Sequence, residues 1–141
     1  MPRLTCVALA VLAVAVLSVP VAGAEEAPQK GLKQVVVTAT CPNDGHGPLS
    51  VTVNPWTVVV LQDDPTRWIL NTNHPSTNSI KIAAKETSDW LYPDRELSGD
   101  GEVTFENMKG NMKRGDAFYY NITLFCGDDK VVIDPRVRVG P

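Results

Sequence analysis

The stretch 116–139 constrains the fold most. Over residues 116–126 the apolar side chains Phe118, Tyr120, Ile122, Leu124 and Cys126 recur at every second position. Over residues 130–139, Val131, Ile133, Val137 and Val139 share one face, with Arg136 and Arg138 opposite. Successive strand side chains point to opposite faces, so a period of two sends one face to a core and the other to water. A helix would need a period near 3.6. Gly127, Asp128 and Asp129 supply a tight connection between the two runs. The segment therefore reads as a hairpin with one buried face, which a second layer must cover. Pro135 cannot donate a ladder hydrogen bond and marks an edge or a bulge.

The same signature recurs upstream. Residues 34–41 are rich in β-branched side chains and put Val35, Val37, Ala39 and Cys41 in phase. Residues 49–53, 56–62, 67–70, 78–84 and 102–106 read as further strands. Between them, 43–48, 63–65, 71–77 and 98–101 carry the Gly, Pro, Asn and Asp of turns and loops. Residues 85–100 show no period. Trp90, Leu91 and Tyr92 there either anchor a loop on the core or form a recognition surface. Residues 107–115 place Met108 and Met112 among Lys109, Lys113 and Arg114, and the two glycines Gly110 and Gly115 argue for a basic loop over a helix. The expectation is an all-β, antiparallel Greek-key β-sandwich of seven to eight strands.

Residues 4–21 are almost wholly apolar, follow Arg3, and lead into the small residues Ala22, Gly23 and Ala24. This reads as a secretory signal peptide cut after Ala24. A membrane anchor is the alternative, and Ser18, Pro20 and the small-residue end favour cleavage. The expected organisation is a signal peptide over 1–24, a flexible leader over 25–33 and a β-sandwich domain over 34–141. The mature protein would be secreted or periplasmic, with no membrane span after cleavage. Two cysteines then remain, Cys41 and Cys126, both in phase with apolar faces. In an exported domain such a pair reads as a disulfide. Two buried thiols, or one thiolate acting as a metal ligand, are the alternatives. A bridge would close a loop of 84 intervening residues.

The 13 basic and 16 acidic side chains leave a net charge of −3, which lacks the positive field of a nucleic-acid binder. No serine sits in a nucleophile elbow, and there is no glycine-rich phosphate loop or His-x-x-x-His pair. The acidic pairs Asp63-Asp64 and Asp128-Asp129 lie in turns and read as turn chemistry. No enzymatic activity and no cofactor are expected.

Four segments carry a family resemblance: Val51-Thr52-Val53-Asn54-Pro55-Trp56, Arg67-Trp68-Ile69-Leu70-Asn71, the run from Tyr119 to Gly127, and Ile133-Asp134-Pro135-Arg136-Val137-Arg138-Val139. Together they resemble small exported cupredoxin-like (plastocyanin-like) domains, over residues 34–139. The resemblance implies a type 1 copper site of two histidines, one cysteine and a weak axial methionine. His74 and Cys126 stand where it implies two of the ligands. The loop Gly127-Asp128-Asp129-Lys130 holds neither the second histidine nor the methionine. An immunoglobulin-like sandwich is the alternative, with Trp68 packed near the disulfide.

The functional expectation is a non-catalytic exported binding module that recognises a protein, a peptide or an envelope component through its loops. Trp90, Tyr92, Met108, Met112, Lys113 and Arg114 are the expected contact surface. Tyr119 faces opposite to Tyr120 and is a candidate for exposure. The alternative is a periplasmic copper or zinc protein using His46 and His74, with Asp44 beside them where the two loops meet.

Overall fold

The computed structural model describes residues 31–141; the expected signal peptide and leader residues 25–30 lie outside the described residues. Ten strands follow in order: β1 (Lys33–Thr40), β2 (Ser50–Asn54), β3 (Thr57–Val60), β4 (Thr66–Thr72), β5 (Ser79–Ala84), β6 (Glu96–Asp100), β7 (Glu102–Phe105), β8 (Ala117–Cys126), β9 (Asp129–Ile133) and β10 (Arg136–Val139). One sheet has the order β2-β1-β4-β7, and the other runs β3-β10-β8-β5-β6 with β9 also on β8. The fold is an all-β sandwich, as its alternating pattern requires.

Two features differ from the sequence reading. The sheets are mixed rather than antiparallel, because β1 pairs with β4, and β3 with β10, in parallel. The chain leaves the first sheet after β2, adds β3 to the second, and returns beside β1 as β4. Side-chain period reports which face is buried and carries no information on strand direction. There are also ten strands rather than seven or eight. One of the extra strands, β6, alternates exposed Glu96, Ser98 and Asp100 with half-buried Leu97 and Gly99, so it carries almost no hydrophobic signal. The other comes from Pro135, which splits the return strand into β9 and β10. It does so without a bulge: Ile122 faces Ile133 and Tyr119 faces Arg136 in one unbroken register. Asn54-Pro55, between β2 and β3, is a cis peptide.

The core is aromatic. Trp68 meets Phe105 and Tyr120 edge-on at centroid distances of 5.4 and 5.3 Å, and Trp90 meets Phe105 at 5.6 Å. The buried polar tips are matched: Trp68 Nε1 donates to the Tyr120 hydroxyl at 3.0 Å, and the Tyr92 hydroxyl donates to the Asp64 carbonyl at 2.9 Å while 2.7 Å from the Thr66 hydroxyl. Trp68 does not pack near the disulfide, as an immunoglobulin-like arrangement would have it. It lies opposite Val35 on β1, six residues before Cys41 and so roughly 20 Å away along the strand.

Asp64 is 4% exposed, and its carboxylate accepts from the backbone N–H groups of Leu61 (2.8 Å) and Gly31 (3.0 Å). Lys33 stands 3.7 Å from the same carboxylate. The last residues of the expected leader, 31–33, are therefore tied to the domain, and the first strand starts at Lys33.

Cys41 and Cys126 form a disulfide with a Cα separation of 5.8 Å. It joins the end of β1 in one sheet to the end of β8 in the other. Asn73 holds the Cys41 backbone from both sides, accepting from its N–H at 2.8 Å and donating to its carbonyl at 2.9 Å.

Burial of the two phenols makes the fold sensitive to alkali. Desolvation pushes the Tyr92 pKa up to about 12 against a partial offset from its Thr66 hydrogen bond. Tyr120 shifts the same way, also by burial. A phenol whose folded pKa is raised contributes its full stability below the unfolded value of 10.0 and loses it as pH climbs toward the folded value. Chemical denaturation at pH 9 through 12 should show the unfolding free energy falling above pH 10. In Tyr92→Phe that fall should shrink, on top of a lower baseline from the lost hydrogen bonds.

Candidate functional site

The strands leave two loop-bearing ends. At the disulfide end, the 41–49 and 73–78 loops meet, as the metal reading requires. His74 and His46 lie against Gly45 and Gly127: a Cβ on Gly45 would sit 2.7 Å from His74 Cε1, and one on Gly127 would collide with the His46 ring. Gly127 also has φ +61°, so the tight turn after β8 and the close approach of His46 both demand glycine there.

The chemistry of this end is largely engaged. His74 Nδ1 accepts the Ser76 backbone N–H at 3.1 Å. A metal at Nδ1 would have to displace that backbone N–H from the ring's lone pair. Asp44 accepts the His46 N–H at 3.2 Å, and Asp129 accepts the Gly47 N–H at 2.7 Å. Both carboxylates therefore act as loop braces. Among the described residues no three His, Cys, Asp or Glu side chains gather as a metal site would need. The sulfur of Cys126 is bonded to Cys41, so the type 1 copper ligand implied by the family resemblance has no thiolate here.

The opposite end, where β8 begins, holds a cavity of about 800 Å³. Its walls are the two loops that sequence singled out: 85–95, between β5 and β6, and 106–116, between β7 and β8. They are tied to each other by Lys109 N–H donating to the Leu91 carbonyl at 2.8 Å. The first is fixed to β8 by Lys85 N–H on the Tyr119 carbonyl (3.1 Å), and Arg95 binds the Lys85 and Ser88 carbonyls at 2.9 Å each. Charged side chains of both signs line the cavity: Lys85, Lys109, Asp89 and Asp116, over Trp90, Met112 and Phe118. Lys85 pairs with Asp134 at 2.7 Å, and its ammonium holds that carboxyl below the usual range. Lys109 has no carboxylate within 4 Å among the described residues. The Trp90 indole N–H is buried with no acceptor among the described residues.

The expected contact surface is corrected in part. Trp90, Tyr92 and Met108 are core residues. Trp90 and Tyr92 pack on Phe105, and their loop is the anchored kind. Met112 is half-buried in the cavity lining, while Lys113 and Arg114 are exposed beside it. Tyr119 is 45% exposed and lines the cavity, as its parity against Tyr120 required. Asp89 and Asn111 fall within the stretches 89–93 and 108–114 that the sequence offers as a contact surface, whereas Lys85 and Asp116 were not legible as site residues, since no local pattern tells a lining side chain from any other loop residue.

Among the described residues no helix is long and apolar enough to cross a membrane. No protein-family model matches the chain, and no curated protein matches it either.

Proposed function

We propose that this domain is a non-catalytic binding module of cupredoxin-like architecture without a copper centre, and that it seats a short polar peptide segment in the cavity between loops 85–95 and 106–116. One observation carries the reading. Two loops separated by the short strands β6 and β7 wall a single cavity whose rim carries both charge signs over an apolar base. A volume of about 800 Å³ lies in the range of small-ligand sites. Lysine and aspartate side chains facing the same space suit a ligand bearing ammonium and carboxylate or amide groups. The cross-layer disulfide is compatible with an exported scaffold, and the rigid sandwich holds the loops for recognition.

A mixed tetrapeptide library, titrated into labelled protein and followed by amide and indole NMR shifts, tests this. The shifts should map to Ser88, Asp89, Lys109, Asn111 and Tyr119 and to the Trp90 indole. Asn111→Trp, which fills the cavity mouth, should weaken binding at least about tenfold, or about 1.4 kcal/mol. Shifts confined to His46, His74 and Gly127 would refute the assignment.

A further inference from the structure

A second surface stands on different residues. On β10, Arg136 and Arg138 point outward while Val137 and Val139 are buried. β10 is an interior strand, so each arginine has a neighbour on both sides. Arg136 lies between Thr57 of β3 and Tyr119 of β8, and Arg138 between Val59 and Ala117. All four neighbours are uncharged. Small side chains there leave two shallow grooves, of about 370 and 250 Å³. The grooves share Val59, Gly115 and Arg138, and the second extends to Arg114. They form one strip crossing three guanidinium groups.

Among the described residues no carboxylate lies within 4 Å of Arg114, Arg136 or Arg138, and all three ion pairs use lysines. The acids two positions from Arg136 and Arg114 in sequence are engaged elsewhere: Asp134 with Lys85, and Asp116 with the Lys113 backbone N–H at 2.8 Å. The Thr57 hydroxyl accepts from Arg136 Nε at 2.9 Å, which orients that guanidinium and leaves its terminal amino groups without a protein partner among the described residues. In a chain of net charge −3, three arginines with no carboxylate within 4 Å among the described residues form a local positive site along one groove.

We infer that this strip binds a linear acidic polysaccharide of the uronate type. Planar guanidinium groups take carboxylates bidentately. Arg136 and Arg138 repeat at roughly 7 Å, two strand residues, and so meet a chain with regularly spaced anions. Val59, 47% exposed in the groove, and Tyr119, 45% exposed beside Arg136, offer apolar faces against which sugar rings lie. The strip adjoins the cavity at Ala117 and Tyr119 but depends on none of its charged residues.

The test uses immobilised polygalacturonate, with neutral dextran, polyphosphate and single-stranded oligothymidine as parallel ligands. The protein should be retained on polygalacturonate and released as salt rises, because the contacts are ionic. Arg136→Glu with Arg138→Glu should weaken retention about tenfold or more. Lys130→Glu reverses one charge at the far end of this hairpin and should leave retention unchanged. Arg136→Gln with Arg138→Gln, checked for an unaltered melting temperature, separates a binding defect from misfolding. No retention on polygalacturonate, retention that Lys130→Glu reduces equally, or tighter binding to polyphosphate or oligothymidine would each overturn the assignment. The Asn111→Trp protein should bind as the parent does, so the two sites fail independently.

Discussion

Replacing Cys41 and Cys126 together by alanine lowers the unfolding free energy by about 4–5 kcal/mol in the chain-entropy account, the largest effect expected of any change to this domain. The sulfurs are 85 positions apart, so the bridge closes most of the described chain into one loop. Cross-linking removes the many unfolded conformations in which these ends are distant. Small domains are stable by about 5–15 kcal/mol, so the loss takes about a quarter or more of the total. Urea unfolding of the parent and the double variant, both without reductant, gives the difference directly. A loss under about 1 kcal/mol would mean that Asn73 and the packed core hold the two sheets together without the link. The parent in reductant should approach the double variant, and that agreement separates the crosslink from the effect of the smaller side chain.

Trp68→Ala should cost about 3–5 kcal/mol, the usual range for emptying a buried tryptophan site. The indole is fully buried between Phe105 and Tyr120, so its removal opens a void that three strands line and cannot close. It also strands the Tyr120 hydroxyl, whose partner at 3.0 Å is the Trp68 N–H. Two gentler variants divide these contributions. Tyr120→Phe keeps the ring and leaves a buried N–H unmatched, about 1–3 kcal/mol. Trp68→Phe keeps part of the volume and loses the same bond. The pair combined should be less destabilising than the sum of the singles, because a hydrogen bond can be lost only once. Additive costs in urea unfolding would show that the bond contributes nothing.

How far residues alone could be read follows from what each pattern encodes. Phe118, Tyr120, Ile122 and Leu124 announce a buried face because parity is local, and every one of them is buried. The parity of Cys41 and Cys126 likewise turned both sulfurs inward, and the bridge forms there. Trp90 and Tyr92 were ambiguous because 85–95 has no period: an aromatic in an irregular segment is core or surface depending on what it meets. They meet Phe105, on another strand. β6 escaped notice because an edge strand with one apolar residue has no amphipathic signal.

The alternation of side chains was sufficient for an all-β class, for the inward face of each long strand and for the crosslink, since each depends on neighbours two residues apart or on a count of sulfurs. Strand direction, the neighbours of β10, the joining of loops 85–95 and 106–116 around one cavity, and the flanking of Arg136 by Thr57 and Tyr119 depend on contacts between segments up to 79 residues apart. No local rule reaches that far. Those pairings arise only when both sheets close over a common core, and both candidate binding surfaces are made of them.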